Sequence, residues 1–532
     1  MTQPKIEREA RLAAPPRLLM YILLSLLLVI ILAVVGVLIF FGSDRRLSAV
    51  IPFAGIAGFV LPLSMILAAV LLRHDLPRRF WLWITLFWAV VAIAGGIGGL
   101  FLYRDALPPR YQEQMLTYVP ALRALMPPTP EGGAVPTVAV TSAISPDQLL
   151  AMPLLAGTPT SQAPALVEVT LPPEATATPS PSPTPEATQS AAVSTPPPTI
   201  EAVVFPTTPP EQALAASLPS AAHIYGLTSQ MPQEWNNCGP ANITQALSFY
   251  GWREDQTYAA SYIRPNEEDK NVSPGELVNF VNNQTGVRAL TRIGGDLTLL
   301  KALLAANFPV IVETTFTPEG YDWIGHYQTL VGYDDAAGNF YVYDTYLGTG
   351  DGGGVPEAYQ QFDSDWRAFN RVYIVVYEAA REGVVQQILG DRADLTLAAE
   401  HALDVARTEA RQDPQNPFTW FNMGTALNRL GRYEEAAAAF DQAIAKRLPF
   451  RMLWYQFGPF EAYFNAGRYS DVLSLAQNNL ATGADLVEET HYWMGRVYEA
   501  QGDRAQAAVA YQRALTRNPL YTAARDALGR VS

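Results

Sequence analysis

Three uncharged apolar runs follow one another near the start of this 532-residue chain, Leu18 to Phe41, Leu47 to Leu72 and Phe80 to Tyr103. Each exceeds the roughly 20 residues that cross a hydrocarbon layer about 30 Å thick. The first is longer than the apolar core of a signal peptide, and Gly42, Ser43 and Asp44 make a poor small-residue cleavage site. The runs therefore predict a membrane domain of three transmembrane helices over 18–125, in contact with membrane lipid. Lys5, Arg8, Arg11 and Arg17 precede the first run and Arg73, Arg78 and Arg79 follow the second. By the excess of basic residues on cytoplasmic loops, 1–17 is expected in the cytoplasm and everything after the third run outside it, in a multi-pass protein of the cell membrane. No Asp, Glu, Lys, Arg or His interrupts a run, so an anchor is expected rather than an ion path.

From 126 to 219 the composition turns to Pro, Thr, Ser and Ala, and no Lys or Arg occurs between Arg123 and Arg253. Such a stretch buries too little apolar surface to offset its ordering entropy, so a disordered linker, an extended stalk, is expected. A formal net charge of −14 argues against nucleic acid as a partner, because phosphate binding needs clustered Lys and Arg. The chain has no Gly-Lys pair, which excludes a phosphate-binding loop of the nucleotide-hydrolase kind. Asp334, Asp335, Asp363 and Asp365 are scattered loop acids with no ligand spacing, so neither metal nor cofactor is expected.

The one cysteine, Cys238, lies in the stretch Met231 to Tyr250. A single cysteine makes no disulfide within the chain, and a lone cysteine is most often a small buried hydrophobe. Here Pro240 suits a first helical position, and Ile243, Ala246, Leu247 and Tyr250 share one helical face. Cys238 is thus expected at a helix N-terminus, where free N–H groups and the helix dipole favour a thiolate. Gln233 lies just upstream, and its amide can donate to an oxyanion.

Ser273 and Glu276 have capping-box spacing ahead of Leu277, Phe280 and Val281, and Asp296 is expected to cap a helix through Leu304. Then the period changes to β-rich runs over 309–315, 326–333, 340–346 and 371–377, giving an α+β domain over 220–380. His326 opens one strand and Asp344 lies late in the next, so the two side chains are neighbours if they share a face. Of the other histidines, His74 lies between apolar runs, His401 and His491 fall in a later helical region, and His223 precedes the domain core.

Gln233, the Asn-Cys-Gly-Pro-Ala-Asn run from Asn237, the Gly-His-Tyr-Gln-Thr-Leu-Val-Gly-Tyr-Asp-Asp run from Gly325 and the Tyr-Val-Tyr-Asp-Thr-Tyr run from Tyr341 resemble the bacteriocin-processing, double-glycine-type cysteine peptidases of the papain-like clan. The resemblance covers roughly 220 to 378. It implies a papain-like fold with an antiparallel sheet, Cys238 as nucleophile, His326 as general base and acid, Asp344 orienting His326, and Gln233 as oxyanion donor. Thr345 follows Asp344 where many relatives carry proline.

From 390 to the end the pattern is helical. Gly424 to Ala443 aligns with Gly495 to Ala514, and Gly431, Gly467 and Gly502 recur near a 34-residue period. Trp420, Ala436, Phe440 and Ala443, and Tyr511, Ala514 and Pro519, resemble the tetratricopeptide signature, with a degenerate middle copy. The expected fold class is therefore multidomain: three transmembrane helices, a disordered stalk, a papain-like α+β domain and an all-α repeat domain. The expected function is that of a membrane-anchored extracytoplasmic cysteine peptidase of bacterial type, acting on a peptide or protein substrate, with the repeats offering a surface to a protein partner. The alternatives are an inactive peptide- or protein-binding module on the same fold, and another thiol acyl-transfer enzyme such as a cell-wall amidase.

Overall fold

A computed structural model describes residues 86, 116, 133–136, 142–151, 218–228, 231–317, 322–350 and 352–532. The chain divides into two compact units, 1–126 and 127–532, and of the first only Leu86 and Leu116 are described. Among the described residues no helix is long and apolar enough to cross a membrane. The expected fold class is corrected accordingly. Apart from Leu86, the three apolar runs lie outside the described residues. The longest described helix, Leu395–Gln412, carries Glu400, Asp404, Arg407, Glu409 and Arg411 along its length and packs an alanine-rich face inward.

The second unit holds an α+β domain and a helical array. The α+β domain is built on a seven-stranded sheet in the order β2-β7-β3-β4-β5-β6, all neighbours antiparallel. Its strands are β1 (Ala221–His223), β2 (Arg288–Arg292), β3 (Val310–Phe316), β4 (Ile324–Asp334), β5 (Asn339–Asp344), β6 (Val355–Ala358) and β7 (Tyr373–Tyr377), with β1 pairing the far end of β4. Alternation along the strands divides the core. Ile311, Tyr327, Ile374 and Val376 face helices Cys238–Ser248, Gln256–Ile263 and Pro274–Gln284. Val310, Val312, Tyr373 and Val375 face Leu299, Leu303, Phe362 and Trp366 on the opposite side. The sequence signals for local structure hold at the helix starts. Ser273 and Glu276 form the reciprocal capping box, and Asp296 accepts the N–H of Leu299.

Two β expectations shift. The run expected to end at Tyr346 stops at Asp344, because that carboxylate accepts the N–H groups of Tyr346 and Leu347 and turns the chain. The run expected to begin at Arg371 begins at Tyr373, since Asn370 and Arg371 have positive φ values of 54° and 48° that no strand tolerates.

The array contains helix pairs Pro417–Arg429 with Tyr433–Ala445, Gly458–Asn465 with Tyr469–Thr482, and Glu488–Ala500 with Arg504–Arg517. Gly431, Gly467 and Gly502 sit at the turn within each pair with φ of +70°, +72° and +81°, which explains their recurrence. The stretch 126–219, expected to be wholly disordered, is ordered in part. Val135 and Leu149 are buried in the repeat core, the Val135 N–H donates to Leu448 O (2.8 Å), and Ser142 N–H donates to Asp441 Oδ2 (2.9 Å). These few apolar residues find a prebuilt apolar surface, which composition averaged over the whole stretch does not register.

Candidate active site

Helix α1, Cys238–Ser248, starts at the cysteine itself. The preceding Asn237 gives it no side-chain cap; Asn237 Oδ1 instead accepts from the buried Arg264 guanidinium (2.5 Å), which also donates to Trp235 O (2.9 Å) and so fixes the loop before the thiol. The first N–H groups of the helix thus have neither intrahelical acceptor nor cap. Asn242, one turn on and fully buried, locks the helix to the sheet. Its Nδ2 donates to Tyr327 O (2.7 Å) and Thr345 Oγ1 (3.2 Å), and its Oδ1 accepts from Thr329 Oγ1 (2.7 Å).

His326 on β4 and Asp344 on β5 do share a face. His326 Nε2 lies 3.0 Å from Asp344 Oδ1, both side chains buried. The thiol of Cys238 makes a hydrogen bond with the same imidazole, for which Nδ1 is the nitrogen left. Asp344 Oδ2 accepts from Gln328 Nε2 (3.0 Å), which also donates to Glu357 (2.6 Å). Gln233 completes the group: its N–H donates to Thr345 O (2.8 Å), and its Oε1 accepts from Thr345 Oγ1 (2.9 Å), which leaves the amide NH₂ as the free end. The structure therefore brings Cys238, His326 and Asp344 into one hydrogen-bonded chain and ties Gln233 to it through Thr345.

Charge follows geometry. Burial pushes the Cys238 thiol up, but the hydrogen bond and charge of His326, with N–H groups of Tyr327 and Gly239, more than offset this and hold it below its ordinary value. Burial pushes the His326 imidazole down, and Asp344, with a smaller contribution from Cys238, raises it to about 10. Asp344, despite its burial, is held at about 2 by the His326 charge and by its donors. The arrangement stabilises a thiolate beside an imidazolium. Glu313, also buried near the thiol, is pushed well above its ordinary carboxylate value by desolvation and then by the Cys238 charge.

Sequence reading missed Asn242, Gln328, Glu313, Arg264 and Thr345 as parts of the site. Asn242 had a signal, being four residues after Cys238 and so on the same helical face, and Gln328 had one, being two residues after His326 on the same strand face. Among the described residues no group of three or more His, Cys, Asp or Glu could hold a metal ion. A surface depression of about 410 Å³, lined by residues including Thr315, Asp365, Arg367 and Phe418, contains none of the four predicted residues.

Residues 225–374 match the model of the Peptidase_C39 like family, and 419–445 and 488–521 each match a tetratricopeptide repeat model. No curated protein matches the chain. Among solved structures, the peptidase domain of Streptococcus ComA, a bifunctional ABC transporter of a quorum-sensing pathway, matches at 18% identity. The match covers 29% of this chain and 98% of that one, with a TM-score of 0.23. The α+β domain of this chain is a Peptidase_C39-like domain of cysteine peptidase-like fold, and the helical array that follows it carries tetratricopeptide repeats.

Proposed function

We propose that the α+β domain is a cysteine peptidase that hydrolyses peptide bonds through Cys238, His326 and Asp344. The observation that carries this reading is the His326 ring held between the Asp344 carboxylate at 3.0 Å and the Cys238 thiol at a helix N-terminus. The thiolate attacks a peptide carbonyl carbon, and the oxyanion is received by the Gln233 amide and the Cys238 N–H. The His326 imidazolium protonates the leaving amine as the C–N bond breaks, leaving a thioester. Water then attacks this thioester with His326 as base, the acid forms, and the thiolate leaves. Asp344 keeps the imidazole in one orientation and steadies its charged form. Placement outside the cytoplasm belongs to the same reading, and its support is the Pro-, Thr- and Ser-rich composition of 126–219.

The test is alkylation of the full chain by iodoacetamide as a function of pH, beside hydrolysis of a peptide library. Cys238 should react well below the usual thiol pKa of about 8.5, and His326→Ala should move that titration upward and slow the reaction at pH 6 by about tenfold or more. An equal profile in both chains, with no peptide cleaved, favours the binding module instead. Cleavage of peptidoglycan but of no peptide favours the amidase.

A further inference from the structure

Asp344 does more than hold His326. Its Oδ1 also accepts the N–H of Tyr346 (2.7 Å) and of Leu347 (2.8 Å), and Gly348 N–H closes the turn onto Asp344 O (2.8 Å). The two side chains this turn presents face solvent: Tyr346 is 56% exposed and Leu347 63%. Large apolar side chains in water are ordinary when scattered, but these two are adjacent in the chain and the first, Tyr346, lies beside the imidazole. The Tyr346 ring centroid is 6.4 Å from that of His326, and Phe316, partly buried, bridges them at 5.2 Å from His326 and 5.4 Å from Tyr346. The platform is rigid because the carboxylate that orients the imidazole also fixes its backbone.

We infer that Phe316, Tyr346 and Leu347 form a subsite for a large apolar side chain on the leaving-group side of the scissile bond. This rests on the peptidase reading given above. His326 delivers its proton to the leaving amine, so the residue that carries that amine passes beside the imidazole, where Phe316 and Tyr346 stand and Leu347 follows on the same exposed turn. A substrate side chain of Leu, Ile, Met or Phe type removes the exposed face of Leu347 and Tyr346 from water as it binds. A charged side chain there loses solvation.

The same subsite should bind an incoming amine when the thioester is resolved by aminolysis, which gives a test that needs no knowledge of the natural substrate. In the full chain, p-nitrophenyl acetate acylates Cys238 with loss of p-nitrophenolate. Added amino acid amides then compete with water: the amine nitrogen attacks the thioester carbonyl, the C–S bond breaks, and the amine proton passes to His326. Leucinamide should capture the acetyl group about tenfold or more better than glycinamide, a typical selectivity of a small apolar pocket. In Tyr346→Ala/Leu347→Ala that ratio should fall to near one. Leu347→Arg, which keeps the turn, should shift preference toward the α-amide of glutamate. An unchanged leucinamide preference in the double variant overturns the subsite alone. Acylation of the wild-type chain no faster than that of His326→Ala overturns the peptidase reading, and the subsite with it.

Discussion

Thr345 shows how one hydroxyl can serve a site without touching a reacting atom. It donates to Gln233 Oε1 and accepts from Asn242 Nδ2, so the Gln233 amide and the helix that begins at Cys238 are both referred to one side chain. Thr345→Val keeps the shape and removes both bonds, freeing the Gln233 amide to rotate. Peptide hydrolysis should show kcat reduced by about tenfold or more with KM little changed, in keeping with loss of an oxyanion donor. The iodoacetamide rate should not move, and Thr345→Ser should restore most of kcat. A Val variant with full kcat would remove Gln233 from the oxyanion site. The resemblance drew attention to position 345 only as a departure from proline, because a hydrogen bond to a residue over a hundred positions away has no trace in local sequence.

Between elements, the decisive junction is helix α1 against strands β4 and β5. Asn242 fastens the helix that begins at Cys238 to the carbonyl of Tyr327 and to the Thr329 hydroxyl, beside the packing of Ile243, Ala246 and Leu247 on the sheet. Replacing Asn242 by Ala should leave these buried groups unpaired at a cost of about 2–3 kcal/mol. The expected readout is a lower urea midpoint with unchanged slope, together with a slower Cys238 alkylation as the thiol loses its place beside the imidazole. The order of elements around this junction was legible in advance: the helix start at Cys238, the capping box at Ser273, and the β-runs carrying His326 and Asp344. Strand β2, Arg288–Arg292, was not expected, because an edge strand with arginine at both ends lacks the alternation that marks a half-buried strand.

Across the whole second unit, the repeats do more than follow the peptidase-like domain; they pack on it. Trp323 stacks on Phe369 and on Phe418 of the repeats, Arg451 pairs with Asp322 at 3.0 Å, and the Gly325 N–H donates to the Tyr455 hydroxyl one residue before His326. A Cβ at Gly325 would lie 2.6 Å from Phe369 and 3.3 Å from Tyr455, so only glycine permits this approach. Part of the repeat surface that could meet a separate partner is therefore occupied by the chain's own Peptidase_C39-like domain. At the same boundary Asp269 and Glu276 meet Glu488 and Glu489 from the repeats. Burial, then mutual repulsion, pushes Asp269, Glu276 and Glu489 upward, Glu276 to about 7. Burial raises Glu488 as well, while donors including Asn518 act against it. A carboxyl raised in the folded state contributes stability that is full below its unfolded pKa, about 4.5, and lost as pH rises through the folded value. The unit should accordingly be more resistant to urea at pH 5 than at pH 8, and Glu488→Gln/Glu489→Gln should flatten that difference. A pH profile unchanged by the double variant would show that these carboxyls do not govern it.

What the sequence determined by itself was local: a cysteine set at a helix start by Gly239 and Pro240, strands identified by their alternation, and left-handed turns marked by Gly431, Gly467 and Gly502. Such features depend on neighbours a few residues apart, so they are written in order along the chain. Only the tertiary structure decided that His326 and Asp344 share a face, that Thr345 and Asn242 join the helix that begins at Cys238 to Gln233, and that Val135 and Leu149 pack into the repeat core. Those contacts depend on strand register and on the apposition of surfaces hundreds of residues apart, where a single shift of register turns every side chain to the other face.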